Sequence, residues 1–230
     1  MLLKNSYNKS IYIIREARTR FTNLALMWGG GKDSTLMLYL TKEALYNNLP
    51  SIIFLDTTFA FRETKEYIRI ISKLWNFNLI YFQNREALSK GINPWNYSKI
   101  ECCTKLKTDA LNQCIQKYNF DGLMFGIRWD EHPIRGKEKY FSSRDVPCHM
   151  RVHPILHWSE EDVWRFIKKY NIPYNPLYDR IINDKKYKSI GCYPCTKPIS
   201  QEEYLELGER GGRSLDKEKI MERLRSLGYM

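Results

Sequence analysis

Gly29, Gly30 and Gly31 run directly into Lys32, Asp33, Ser34 and Thr35, so backbone freedom sits beside a cation, a carboxylate and two hydroxyls. Glycine removes the Cβ that would hold a ligand away from the backbone. The N–H groups that open a following helix then attract an anion by hydrogen bonding and by the helix dipole. The chemistry this run predicts is phosphate binding. A Walker A loop needs Gly-Lys followed at once by Ser or Thr. Here Asp33 follows Lys32 and no glycine lies at the required upstream spacing, which excludes a kinase or GTPase loop.

Cysteine supplies the second constellation. Cys102 and Cys103 are adjacent in IECCTKLK, and Cys192 and Cys195 form C-Y-P-C. Four thiols in two clusters suit a structural zinc, an iron–sulfur cluster or a thiol core without metal, and spacing does not choose among them. Adjacent side chains on regular backbone diverge, so both can serve one centre only if the chain turns there, as at the start of a helix near Thr104. Cys114, between Leu111 and Ile115, reads as core. Cys148, beside His149 and near Arg151, would suit a sulfur carrier if its pKa were lowered, although a lone cysteine is more often inert. His132, His153 and His157 have no partner at metal-ligand spacing and read as structural.

These residues must be positioned by an alternation of strands and helices. LALMW (24–28) is a short buried strand ahead of the glycines, and Leu36, Leu38, Leu40 and Leu45 continue an apolar pattern after them. Helices are expected over 7–21, 34–46, 62–75 and 104–118, and strands at SIIFLD, NLIYF and GLMFGI. That order predicts an α/β fold: a doubly wound, mostly parallel sheet with helices on both faces and a cysteine-containing C-terminal extension. The domain division expected is an N-terminal helix (1–22), a nucleotide domain (23–170) and a C-terminal segment (171–230). Residues 129–152 are polar, rich in Arg and Lys and weakly periodic, and are expected to form a loop at the rim of the site. Ser159 is placed to cap a helix with acids in its first turn.

Composition bounds the partners. Thirty-seven Lys and Arg against 26 Asp and Glu leave a net charge of +11. That excess favours a polyanion but equally suits a binder of ATP and small anions. No apolar run approaches the roughly 18 residues of a membrane span. MLLKNSYNKS lacks the apolar stretch of a secretory signal, so the expected location is the cytoplasm, where thiols serve as ligands or nucleophiles before they form disulfides.

The glycine run resembles the PP-loop, S-G-G-x-D-S, of ATP pyrophosphatases, with Gly29 where that family usually has serine. The resemblance implies cleavage of ATP between the α and β phosphorus atoms. C-C, a lysine-bearing helix (Lys105, Lys107) and G-C-x-P-C-T are similar to the [4Fe–4S] ligand set of adenylylsulfate reductases. LDTTFAFRET resembles the D-T-G-x-x-F-x-E element of the phosphoadenylylsulfate reductase and sulfate adenylyltransferase superfamily, with Thr58 in place of its glycine, a change expected to alter that turn. GIRWDEHPIRGKEKYFSSRD is similar to its G-x-R-x-D-E segment, and residues 151–164 with ERGGRSLDKE most resemble the sulfate adenylyltransferase small subunit. The C-terminal E-C-G-L-H of the thiol reductases is absent, while that small subunit typically lacks the cysteine quartet. An adenylating body with cluster ligands resembles the ATP pyrophosphatase components of DNA phosphorothioation systems (DndC and SspD type).

What the resemblance implies is specific. Gly29 to Thr35, Asp56, Thr57 and Gly126 would hold ATP. Lys32, Asp33 and Ser34 would work on its phosphates, Asp33 through Mg²⁺ or loop architecture, and Arg128, Arg135 and Lys137 would bind the acceptor anion. Cys102, Cys103, Cys192 and Cys195 would hold [4Fe–4S]. The acceptor implied is the DNA backbone, with a cysteine desulfurase as sulfur donor. The alternatives are sulfate with a GTPase large subunit, and an iron–sulfur nucleotide sensor without turnover. A homo-oligomer is compatible with each.

Overall fold

The computed structural model describes residues 2–46, 48–214 and 218–228. Its centre is a six-stranded sheet of order β3-β2-β1-β4-β6-β5. The strands are β1 (Leu24–Met27), β2 (Ser51–Leu55), β3 (Leu79–Phe82), β4 (Gly122–Phe125), β5 (Phe141–Asp145) and β6 (Cys148–Val152). β1 pairs in parallel with β2 and with β4, and β4 pairs in parallel with β6. β5 closes that edge antiparallel to β6. The four residues of β1 and the four of β4 are all buried, which is why they read as unbroken apolar runs rather than as alternation.

The order reverses between β1 and β4. Such a switch point opens a crevice beyond the carboxyl ends of the two strands, where ligands bind in sheets of this class. β1 runs into Gly29–Gly31 and β4 into Gly126–Arg128. The register Met27↔Phe125 brings these two exits side by side.

The helices are α1 (Leu2–Arg20), α2 (Lys32–Ala44), α3 (Arg62–Leu74), α4 (Arg85–Ser89), α5 (Lys99–Cys103), α6 (Ala110–Tyr118), α7 (Glu160–Lys169), α8 (Gln201–Leu207) and α9 (Met221–Ser226). α1 turns Ile13, Ile14 and Ala17 inward, and α2 buries Leu36, Met37, Leu38 and Leu40. Ser159 caps α7 by accepting from the Asp162 N–H, as its position in the sequence predicts.

Two expectations are corrected. Residues 129–152 are not one loop: two 3-10 turns lead into the β5–β6 hairpin, and Cys148, His149 and Arg151 lie on β6. Alternation is hidden there because His149, Arg151 and Val152 are all buried, leaving no regular polar face to recognise. The helix expected from Thr104 begins at Lys99, capped by a reciprocal Ser98/Glu101 box, and passes through a π-helical turn over Thr104–Asp109 before α6.

The chain clusters into two units, each discontinuous in sequence. One comprises Met1–Phe54, Ile68–Ile80 and Ile115–Tyr174; the other comprises Leu55–Tyr67, Tyr81–Cys114 and Asn175–Met230. Leu215, Asp216 and Lys217 of the ERGGRSLDKE stretch lie outside the described residues.

Candidate phosphate and cysteine sites

In the first unit the glycine run works as the sequence predicts. Gly30 adopts φ +74°, a left-handed conformation that costs glycine nothing, and Gly31 is the N-cap of α2. A cap without a side chain leaves the first turn of α2 reachable by an anion. A Cβ on Gly29 would meet nothing within 4 Å, so the serine usual at this position in PP-loops would fit. Gly126 behaves oppositely. A Cβ there would lie 2.8 Å from the Ser34 Cα and 2.9 Å from the Asp33 carbonyl oxygen, so the β4 exit touches the loop backbone. Ser34 Oγ donates to the Gly31 carbonyl at 3.0 Å, and Trp28 Nε1 donates to Thr35 Oγ1 at 3.1 Å, tying both hydroxyls into the turn.

Lys32 is only 1% exposed. Its Nζ lies 3.5 Å from Asp33 Oδ2 and 3.6 Å from Glu160 Oε1, at the first residue of α7. Arg128, fully buried, donates through a terminal nitrogen to Asp33 and through Nε to Asp130 Oδ1 at 2.9 Å. Asp130 also accepts from the Glu160 N–H at 3.0 Å. The result is a chain of alternating charge from the loop to the α7 N-terminus. A buried cation without such partners would be expensive. Asp33 thus holds the loop to Arg128. Arg135 is paired with Glu131 four residues earlier, and Lys137 ends the same 3-10 turn on the surface. Asp130 and Glu131, the D-E of the G-x-R-x-D-E segment, received no role from the sequence, and Glu160 was not singled out. Nothing in local spacing links residues 32, 128 and 160.

In the second unit, Asp56 follows β2 and uses both carboxylate oxygens: Oδ1 accepts from the Thr58 N–H and Oδ2 from Gln83 Nε2, each at 2.9 Å. Thr58 has φ +69°, a left-handed conformation that glycine enters without cost. Thr57 Oγ1 lies 3.5 Å from Cys192 Sγ.

Cys102, Cys103, Cys192 and Cys195 line one cavity with Thr57, Lys107 and Arg213. The expectation that both adjacent cysteines sit at a helix start is corrected: they are the last two residues of α5, with the π-helical turn immediately after them. Burial pushes the Cys102 thiol up to about 12, with Cys103 and Cys192 adding to the effect and Lys107 opposing it. A thiol so placed stays protonated near neutral pH unless a metal replaces the proton. Among the described residues, no three His, Cys, Asp or Glu side chains are grouped closely enough to hold one metal ion. Four ligands on a single zinc would bring sulfurs to about 3.8 Å of one another, given Zn–S bonds of about 2.3 Å. A four-iron cluster gives each thiolate its own iron. Cys114 is fully buried in core, and Cys148 is exposed on β6.

The histidines are tied to backbone. His153 Nδ1 donates to the Lys139 carbonyl at 2.8 Å, and His132 Nδ1 accepts from the Ile134 N–H. Burial holds His149, His153 and His157 below their usual pKa, His153 at about 4. Among the described residues no helix is long and apolar enough to cross a membrane.

The sulfate adenylyltransferase subunit 2 of Vibrio cholerae is 31% identical, across 99% of this chain and 97% of that protein. The subunit 2 of Zymomonas mobilis is 30% identical, across 96% and 95%. Among solved structures, the phosphoadenylyl-sulfate reductase of Candida auris in a phosphate complex superposes with a TM-score of 0.67 at 17% identity, covering 83% of this chain and 90% of that one. The FMN adenylyltransferase of Candida glabrata, solved with FMN and an ATP analogue, superposes at 0.65 and 22% identity, covering 86% and 66%. These two share the mostly parallel α/β fold. Residues 23–198 match the phosphoadenosine phosphosulfate reductase domain, and the chain belongs to that family.

Proposed function

We propose that this protein transfers the adenylyl group of ATP to sulfate and releases pyrophosphate. An acceptor oxygen attacks the α-phosphorus, the bond to the bridging oxygen breaks, and pyrophosphate leaves with the electron pair. The acceptor is already an anion, so the reaction needs charge neutralisation more than it needs a base. Gly30, Gly31, Lys32, Ser34 and Thr35 hold the β and γ phosphates, with Gly29 giving room. Asp33 fixes the loop through Arg128. Arg135 and Lys137 supply positive charge for the acceptor. Mg²⁺, when bound with ATP, would neutralise phosphate charge. The observation that carries this reading is the pairing of buried Lys32 and Arg128 through Asp33 at the exits of β1 and β4. Similarity to sulfate adenylyltransferase subunit 2 along nearly the whole chain supports it.

Sulfate thereby replaces the DNA backbone as the preferred acceptor, and a large subunit replaces a cysteine desulfurase as the preferred partner; the relatives are named as subunits of that enzyme. The four thiols favour a second reading, in which a [4Fe–4S] cluster serves sulfur incorporation into a nucleic acid, and the net charge of +11 is compatible with it. Pyrophosphate release by anaerobically purified protein, with ATP, Mg²⁺ and either sulfate or duplex DNA, separates the two. Sulfate-dependent release is expected, and Lys32→Ala should lower it about 100-fold or more. Release that needs DNA would favour the second reading. Metal analysis of the same preparation bears on the second reading, which requires iron with acid-labile sulfide; stoichiometric zinc would rule out the cluster.

A further inference from the structure

The pairing of Lys32 with Glu160 has a use beyond holding a helix. We infer that Glu160 is a positioning residue that occupies the Lys32 ammonium until ATP arrives and yields it to the polyphosphate. This rests on the adenylyl-transfer reading above.

Three observations carry it. Lys32 is almost wholly buried, so its charge needs a neighbouring anion whether or not nucleotide is bound. Its distances to Asp33 and Glu160, 3.5 and 3.6 Å, are those of ion pairs rather than of tight hydrogen bonds, and such contacts are readily exchanged for a phosphate oxygen. Asp33 belongs to the loop itself and ties it to Arg128, whereas Glu160 sits on a different element and meets Lys32 from the first turn of α7. Asp130 fixes that approach by joining Arg128 Nε to the Glu160 N–H. Of the two carboxylates, Glu160 is therefore the one whose release leaves the loop intact. Its negative charge then opposes the incoming phosphates, so part of the binding energy of ATP is spent on displacing it.

The thermodynamic signature differs from that of a structural ion pair. Replacing Glu160 by Gln removes the competitor only from the nucleotide-free state. Melting temperature of the full chain, with and without ATP and Mg²⁺, and the KM for ATP are the measurements. The expected result for Glu160→Gln is a lower melting temperature without ATP, a larger ATP-induced rise than in the parent protein, and an ATP affinity about fivefold tighter. Glu161→Gln is the control: Glu161 occupies the same first turn and pairs with Arg165, so it loses the helix-dipole contribution without touching Lys32. Its ATP-induced rise should match that of the parent. Equal loss of stability with and without ATP, or weaker ATP binding, in Glu160→Gln would overturn the exchange. If the parent itself shows no ATP-induced rise, the adenylyl-transfer reading falls first and the exchange with it.

Discussion

At the scale of single residues, Thr58 is the sharpest conflict between local preference and the fold. A β-branched residue at φ +69° is disfavoured, because its Cβ crowds the carbonyl in the left-handed region. Asp56 holds it there by accepting from its N–H, and the same carboxylate takes Gln83 and lies 3.4 Å from Lys65 Nζ. Thr58→Gly should therefore raise stability by about 1 kcal/mol, a rise of roughly 3 °C in melting temperature for a chain of this size. Calorimetry checks it, and a fall would show that the threonine side chain contributes more than its strain costs. Lys32, Asp33 and Arg128 make the complementary point: each charge is tolerated in a buried place because the next one compensates it.

At the scale of elements, the contact between β4 and the start of α2 is the critical joint. Gly126 leaves no room for a methyl group against the backbone of Asp33 and Ser34, and backbone cannot swing aside as a long side chain can. Gly126→Ala should push the loop off its position, destabilising the chain by about 1–3 kcal/mol and abolishing tight ATP binding. Thermal melts and an ATP titration together test this, and unchanged affinity would show that the loop relaxes freely. The α5–π–α6 segment is a second joint. A π-helical turn inside a helix is frequent at functional sites, and here it directly follows the paired cysteines.

At the scale of the whole molecule, pH is the revealing variable. His153 titrates at about 4 in the folded chain because burial penalises its charge, although the Lys139 carbonyl and Glu138 act the other way. Unfolded histidine titrates near 6.5, so between those two values the unfolded chain binds the extra proton and stability falls as pH drops. His149 and His157 are shifted in the same direction by burial. The stability contributed by a neutral His153 is fully present above pH 6.5, and about 3 kcal/mol of it is lost on descending to about pH 4. Denaturant titrations across that range should show the fall. His153→Gln, which can still donate to the Lys139 carbonyl, should make it shallower. A parent protein as stable at pH 4.5 as at pH 7 would contradict the burial of these rings.

Read alone, the sequence shows the alternation of elements, the anion-seeking turn after β1 and the capped start of α7. Each of these is written in contiguous residues whose apolar period or turn chemistry acts locally. It did not reveal the β5–β6 hairpin, since buried histidine and arginine break the alternation by which a strand is recognised. Nor did it reveal Glu160 and Asp130, because an ion pair between residues 32 and 160 depends on where two strands and a helix end in space. The cysteines stand between these cases. Their number and order were legible, but that all four line one cavity was decided only when α5 ended at Cys103 and the C-Y-P-C turn packed beside it. Local pattern sets which groups are offered; only long-range packing sets which of them meet.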